Sequence, residues 1–201
     1  MFFPFRVLHH PSVLSRGSRT WRRFSPQSQR LRNLLMLPSW SIFPPYSSKS
    51  PKNDAIRTAA FERKVKVRML ISCGRDSNPA MLPFLQSLAS LDYPHHHIHI
   101  HIKLFIVPVG NKSDIPFTRI NHNKYMVTDK TAYIGTSNWA GDYFVTTARV
   151  SLVVSQSNAH PAWRTDALQS QLKEVFNRDW HSQFAVHLDD LGHNPHCALS
   201  Q

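Results

Sequence analysis

The chain has 201 residues, and 41% of them are hydrophobic, which suits one domain with a packed core and an appendage. Its formal net charge is +12, but nine of the 24 Lys and Arg residues and none of the 12 Asp and Glu residues precede Asp54. The remainder holds 15 basic and 12 acidic residues, a net of +3, so bulk charge alone excludes no partner and identifies none. No run of 18 apolar residues occurs, and no membrane-spanning segment is predicted.

The first 53 residues differ in composition from the rest of the chain. They contain seven of the 14 prolines, many serines and no acidic residue. An Arg-rich, acid-free stretch is typical of a mitochondrial transit peptide, but Pro4, Pro11 and Pro26 interrupt every early amphipathic window. We therefore favour a disordered basic leader over residues 1–53, from an alternative first exon or a gene-model error, followed by a domain over residues 54–201.

Alternating helix and strand patterns follow Asp54. The apolar spacing predicts three helices, at residues 54–64, Pro79–Leu91 and Thr165–Arg178. Runs of β-branched and apolar residues predict buried strands at Val65–Ile71 and Val150–Val154. The tail from Ser182 to Gln201 is polar and is expected to be irregular. This order predicts an α/β fold in which a sheet is flanked by helices.

A histidine-rich run at residues 95–104 alternates strictly between imidazole and aliphatic side chains. Its aliphatic members are predicted to face the core, and His97, His99 and His101 to face away. Imidazoles at every second strand position can bind a metal. Because no carboxylate or cysteine joins the run, a solvated strand face is the favoured interpretation, and neither a metal site nor a cofactor is predicted.

A compact set of polar residues lies in the middle of the domain. An extended backbone would place His122 and Lys124 on one face, before a buried strand at Tyr125–Val127. A turn and a second strand, ended by Gly135, would then bring Thr136, Ser137 and Asn138 beside them. This set suits a phosphodiester: the ammonium balances phosphoryl charge, the Thr136 hydroxyl and the Asn138 amide donate hydrogen bonds, and the imidazole exchanges a proton.

This pattern resembles the phospholipase D superfamily signature, H-x-K-x4-D followed by G-S-x-N. His122, Lys124 and Asp129 match it in type and spacing, and Gly135 to Asn138 match with Thr136 where Ser is usual. Five residues separate Asp129 from Gly135, where the general signature has six. From about Asp54 onward the chain is similar to the C-terminal half of family members three and four, endolysosomal 5′-to-3′ exonucleases on single-stranded nucleic acid.

The resemblance implies a role for each signature residue. His122 would be the general acid that protonates the leaving 5′ oxygen, and Lys124 and Asn138 would hold the phosphoryl oxygens. Asp129, where these relatives carry Glu, would orient the basic groups from outside the site. Gly135, Thr136, Ser137 and Trp139 would line the substrate side, and stacking of Trp139 on a base and packing under the sheet remain equal alternatives.

The chain carries one signature where the superfamily uses two. Activity on single-stranded nucleic acid or another phosphodiester, lipid included, would therefore need a second half-site from a homodimer or another chain. The alternative is a catalytically inactive fragment or binding module. The relatives' membrane anchor would lie in a part that this chain lacks.

Cys73 and Cys197 are the two cysteines, and on their own they are either buried thiols or a bridge. The resemblance favours a bridge between them. Asn111-Lys112-Ser113 is a glycosylation sequon, which also fits a secretory compartment. The resemblance implies the lumen of the endoplasmic reticulum or the endolysosome.

Overall fold

A computed structural model describes residues 6–10, 32–37, 51–112, 115, 120–136, 138, 149–155 and 167–200. Within these residues eight strands form one mixed sheet in the order β1-β7-β6-β5-β2-β3-β4-β8. β2, β3 and β4 run parallel to one another, and every other neighbouring pair is antiparallel. The strands are β1 Arg6–His10, β2 Asn33–Leu37, β3 Lys66–Cys73, β4 Ile100–Ile106, β5 Tyr125–Thr128, β6 Thr131–Gly135, β7 Arg149–Ser155 and β8 Ala185–His187.

Helices cover both faces of this sheet. They are α1 Pro51–Arg63, α2 Met81–Ala89 and α3 Leu168–Trp180. Side chains of α1 and α2 share one core cluster with β3 and β4, whereas Phe176 and Trp180 of α3 pack with Leu70 and Val127 in a second cluster. The alternation along β3 explains this, because successive strand side chains point to opposite faces. The predicted α/β sandwich is therefore confirmed, and none of the described helices is long and apolar enough to cross a membrane.

The structure contradicts the expected disordered leader at thirteen of its residues, which lie in β1, in β2 and at the start of α1. β1 pairs with β7, and β2 lies between β3 and β5, with Leu34 opposite Val67 on one side and opposite Thr128 on the other. Leu35 is 3% exposed and joins the α3-side cluster. The basic, proline-rich composition concealed a run of four apolar residues, Leu34 to Leu37, which with Asn33 is enough for a five-residue strand when both neighbours offer free backbone groups.

The C-terminal tail is ordered where an irregular segment was expected. β8 pairs with β4, Ala198 N–H donates to the Gly74 carbonyl at 3.0 Å, and Leu199 is 3% exposed. The bridge is confirmed: Cys73 and Cys197 form a disulfide with their Cα atoms 5.3 Å apart. The tail is therefore attached to the domain by a strand and a few apolar side chains as well as by the disulfide.

The histidine-rich run divides into a turn and a strand. Pro94–His96 form a 3-10 turn, and His97 has a left-handed backbone with φ 57°. Tyr93 and Ile98 close this loop as an antiparallel bridge, so the predicted strand begins later than expected. The expectation that no carboxylate joins the imidazoles is also wrong, because Asp92 lies beside His99 and His101.

Candidate functional site

The hairpin of β5 and β6 brings the two parts of the signature together. Tyr125 pairs with Ile134, and one step beyond the ladder the Gly135 N–H donates to the Lys124 carbonyl at 2.9 Å. The connection is tight because the Thr128 hydroxyl oxygen accepts the Thr131 N–H at 3.1 Å. Residues 120–124 on one side and Gly135 and Thr136 on the other therefore lie next to each other at the open end of the hairpin.

Lys124 is the buried cation of the site. Its side chain is 6% exposed, and Nζ donates to the backbone carbonyl of His122 at 2.8 Å. Burial lowers the pKa of the Lys124 ammonium from 10.5 to about 8. An ammonium that has lost most of its hydration, yet is still mainly protonated at neutral pH, interacts strongly with an anion that replaces the lost water.

His122 is exposed and lies within the electrostatic field of Lys124. Two effects lower the pKa of its imidazole: the partial burial of the ring is the larger effect, and the charge of Lys124 is the smaller one. β5 begins only at Tyr125, so His122 and Lys124 precede the strand instead of lying within it. Their common orientation remains a prediction that their electrostatic coupling supports.

The second part of the signature packs against the hairpin. A Cβ at Gly135 would lie 2.8 Å from Cζ of the Tyr133 ring and would also collide with its hydroxyl, so a larger residue at the end of β6 would push the end of the Tyr133 side chain aside. The Thr136 hydroxyl donates to the Val150 carbonyl at 3.2 Å, which gives it a role in holding β7 that the sequence did not indicate. Asn138 is 8% exposed, and Ser137 and Trp139 lie outside the described residues.

Asp129 occupies the opposite end of β5. Its carboxylate accepts hydrogen bonds from the backbone N–H of Arg32, from the Asn33 N–H at 3.1 Å and from the Asn33 side chain at 2.8 Å. Burial alone would raise the pKa of this carboxyl, but these hydrogen bonds and the charge of Lys173 outweigh it and lower the pKa. These contacts differ from the expected role of orienting His122 and Lys124: Asp129 fixes the start of β2.

Asn33 was missed by the sequence reasoning because it lies in the expected leader. The available indication was its position as a polar residue directly before four apolar ones, which is typical of the residue at a strand start. Gln169 was missed as well: its side-chain amide donates to the Thr128 carbonyl at 2.6 Å and ties α3 to the hairpin.

The fold and the hairpin together describe an α/β domain that presents a buried cation and an imidazole where two sheet strands end. Residues 39–180 match the family described as "Cardiolipin synthase, PLD-like domain". The chain belongs to the phospholipase D superfamily, and within it to the branch of the relatives named PLD3 and PLD4.

Two relatives and one solved structure illustrate this placement. The chain is 51% identical over 146 residues to "5'-3' exonuclease PLD4" of Homo sapiens, covering 72% of this chain. It is 50% identical over 140 residues to "5'-3' exonuclease PLD3" of Xenopus laevis, covering 69% of this chain. It spans 28% of the length of each of these relatives. The crystal structure of the phospholipase D family member NUC from Salmonella typhimurium has the same fold, with a TM-score of 0.58 over 91% of this chain and 96% of that one, at 16% identity.

Proposed function

We propose that this chain supplies one half-site of a phosphodiesterase that removes nucleotides from the 5′ end of single-stranded DNA or RNA. The observation that carries the proposal is the buried Lys124 ammonium across the hairpin from Gly135, with His122 in its field. The nucleic-acid substrate and the direction rest on relatives named 5'-3' exonuclease that are about half identical to the chain.

Lys124 and Asn138 hold the phosphoryl oxygens in this proposal. Both side chains are more than nine-tenths buried, and both carry N–H donors. A buried donor is worth more to an anion than an exposed one, since little water competes for it. Gly135 and Thr136 adjoin this site, and the substrate-binding role of Ser137 and Trp139, with stacking of the indole on a base, stays a prediction for residues outside the described part of the chain.

His122 acts as the general acid and then as the general base. A second histidine attacks phosphorus through a ring nitrogen, the bond from phosphorus to O5′ breaks, and the His122 N–H gives its proton to O5′. Water then attacks the phosphohistidine, the phosphorus–nitrogen bond breaks, and His122 accepts the proton of the water. The phosphodiester charge beside His122 opposes the effects of burial and Lys124, so substrate raises the fraction of imidazolium.

The second histidine comes from a second copy of the chain or from another chain. One H-x-K signature offers one imidazole beside the phosphoryl site, whereas the reaction needs a nucleophile and an acid on opposite sides of phosphorus. A two-fold symmetric dimer would bring two copies of the same surface together and complete the pair.

The proposed location is the endoplasmic reticulum or endolysosomal lumen. The Cys73–Cys197 bridge persists in an oxidising compartment, and Asn111 is exposed in a 3-10 turn, where a glycan can be attached. A glycosidase-sensitive mobility shift that Asn111→Gln removes is expected for protein made in cells. No shift would place the chain outside this pathway.

Activity in mixed dimers tests the half-site directly. We expect the dimeric fraction to release labelled mononucleotide from a 5′-labelled single-stranded oligonucleotide and to give a ladder from a 3′-labelled one. His122→Ala should abolish this activity, and Asn123→Ala, at the exposed neighbouring position, should leave it unchanged.

The mixing ratio identifies the source of the second histidine. If each site needs His122 from both copies, an equal mixture of wild-type and His122→Ala chains after subunit exchange retains about a quarter of the wild-type activity. If each chain works independently, the same mixture retains about half of the wild-type activity. A monomer that degrades the substrate refutes the half-site, and inactivity in every oligomeric state favours the inactive-fragment alternative. Cleavage of phospholipid vesicles but not of oligonucleotides would refute the nucleic-acid assignment.

A further inference from the structure

Three side chains of metal-binding type meet at the start of β4, on a part of the domain that the proposed reaction does not use. Asp92 follows α2, and His99 and His101 lie two residues apart along the strand direction. One ligand atom from each residue, a carboxylate oxygen or a ring nitrogen, lies within 4.8 Å of the other two. We propose that Asp92, His99 and His101 form a zinc-binding site.

The two imidazoles are held by the backbone of the sheet. The Val67 N–H donates to the His99 carbonyl at 2.9 Å, and His101 is the register partner of Arg68 on β3. Residues two apart on an extended segment project to the same side, and the two rings stack with centroids 6.2 Å apart at an interplanar angle of 21°. Ligands on a rigid strand are positioned before the metal arrives.

Asp92 is held in place by two features. Its Oδ1 accepts the backbone N–H of Ile100 at 2.9 Å, and its second oxygen can bind a cation. Tyr93 and Ile98 exchange two backbone hydrogen bonds, at 3.0 and 3.2 Å, which close the loop between Asp92 and the strand. The carboxylate is thereby fixed beside residues seven and nine positions later in the chain.

Two imidazoles and one carboxylate match the preferences of zinc. Zn²⁺ binds histidine nitrogen and carboxylate oxygen at about 2.0–2.2 Å, and three protein ligands leave the fourth tetrahedral position for water. Donor atoms around such an ion are about 3.3 Å apart, so ligand atoms that start within 4.8 Å need only small side-chain rotations. Mg²⁺ and Ca²⁺ prefer sites made of oxygen alone.

Two neighbouring positive charges are directed at α3. The Arg68 guanidinium donates to the Asn177 side chain at 3.0 Å and lies 5.2 Å from the centre of the Phe176 ring. Lys103, two residues beyond His101, donates through Nζ to the Trp180 carbonyl at 3.1 Å. Because both cations already have partners on the helix, they do not occupy the position of a metal.

The other histidines of the run provide the control. His96 stacks on the Tyr93 ring with centroids 4.7 Å apart, and His97 occupies the left-handed position of the turn. Neither belongs to the group of three. His97→Asn therefore removes an exposed imidazole of the same run, and Asn tolerates the left-handed backbone.

Calorimetric titration of the full chain with ZnCl₂, after treatment with EDTA and dialysis, tests the site. We expect one zinc per chain, with affinity reduced at least tenfold by His101→Gln or Asp92→Asn and unchanged by His97→Asn. Asp92→Asn keeps an oxygen to accept the Ile100 N–H, and the melting temperature in EDTA shows whether it folds. Excess zinc should raise the melting temperature of the wild type by about 3 °C or more, and that of His101→Gln by less.

Several outcomes would overturn the proposal. They are the absence of heat on titration, an affinity unchanged by His101→Gln, and an equal loss in His97→Asn, which would mean that the whole run binds zinc without a defined site. If Asp92→Asn fails to fold, His101→Gln decides. The readout is zinc binding and not activity, so it does not depend on the proposed phosphodiesterase.

Discussion

Replacing Lys124 by methionine should make the protein more stable and should abolish phosphate binding at the proposed site. Lys124 is 6% exposed, and burial lowers the pKa of its ammonium from 10.5 to about 8. Each pKa unit corresponds to about 1.4 kcal/mol, so holding this charge costs the folded chain on the order of 3 kcal/mol at pH 7. Methionine fills similar space without the charge, and the lost hydrogen bond to the His122 carbonyl offsets about 1 kcal/mol. We expect a net gain of about 2 kcal/mol.

The lowered pKa of Lys124 also makes the free energy of unfolding depend on pH. Between about pH 8 and the unfolded pKa near 10.4, unfolded Lys124 keeps a proton that the folded chain has lost. The unfolded state then binds more protons, so the free energy of unfolding of the wild type rises with pH in this window. Below pH 8 the full cost is present, and the advantage of Lys124→Met should be greatest there and should shrink by pH 10.

Urea unfolding at pH 7 and pH 10, followed by tryptophan fluorescence, measures both effects. Both cysteines are in the disulfide, so no free thiolate can exchange at the higher pH. Lys66→Met, at an exposed position of β3, is the matched control and should change stability by less than about 0.5 kcal/mol at either pH. A variant less stable than the wild type at pH 7, or a difference that does not change with pH, would refute the reasoning.

Three further predictions concern the supports of the site. Leu35→Ala should lower the free energy of unfolding by about 3 kcal/mol, whereas Ile115→Ala, at a side chain that is 51% exposed, should change it little; equal effects would mean that β2 is dispensable. Asp129→Ala should cost about 1 kcal/mol at pH 7, and because the folded pKa is lowered this difference should disappear as pH falls below that pKa; a constant difference would contradict it. Reducing the Cys73–Cys197 bridge, or replacing both residues by serine, should cost about 2–4 kcal/mol, and an unchanged melting temperature would show that the tail docks without it.

The pairing of β5 with β6 was predictable because its determinants are local. Tyr125–Val127 read as a buried strand, the short turn follows from the residues between the strands, and Gly135 ends the second one. Residues close in sequence meet without a choice among distant partners. The paired strands of the hairpin could therefore be placed from sequence alone, apart from the exact start of β5.

The position of Asp129 was not predictable, because its partners lie far away in the chain. Its hydrogen bonds to Asn33 span 96 residues. Asp92 beside His101 is a similar case at shorter range, since a turn with a left-handed residue had to be known before the carboxylate could be placed. Side-chain spacing predicts which face a residue occupies, but it does not predict which carboxylate closes a loop.

β2 explains why the first half of the chain matters to the second. β5 pairs with β6 on one side and with β2 on the other, and all four of its side chains are buried. Leu37 lies opposite Tyr125, the residue directly after Lys124, so the last backbone pair of β2 adjoins the proposed phosphate site. Without β2, the hairpin would keep its signature but lose half of the hydrogen bonds that hold β5, and an unpaired buried strand is costly. The geometry of the signature therefore depends on a five-residue strand with four apolar side chains, in a segment whose composition suggests no structure at all.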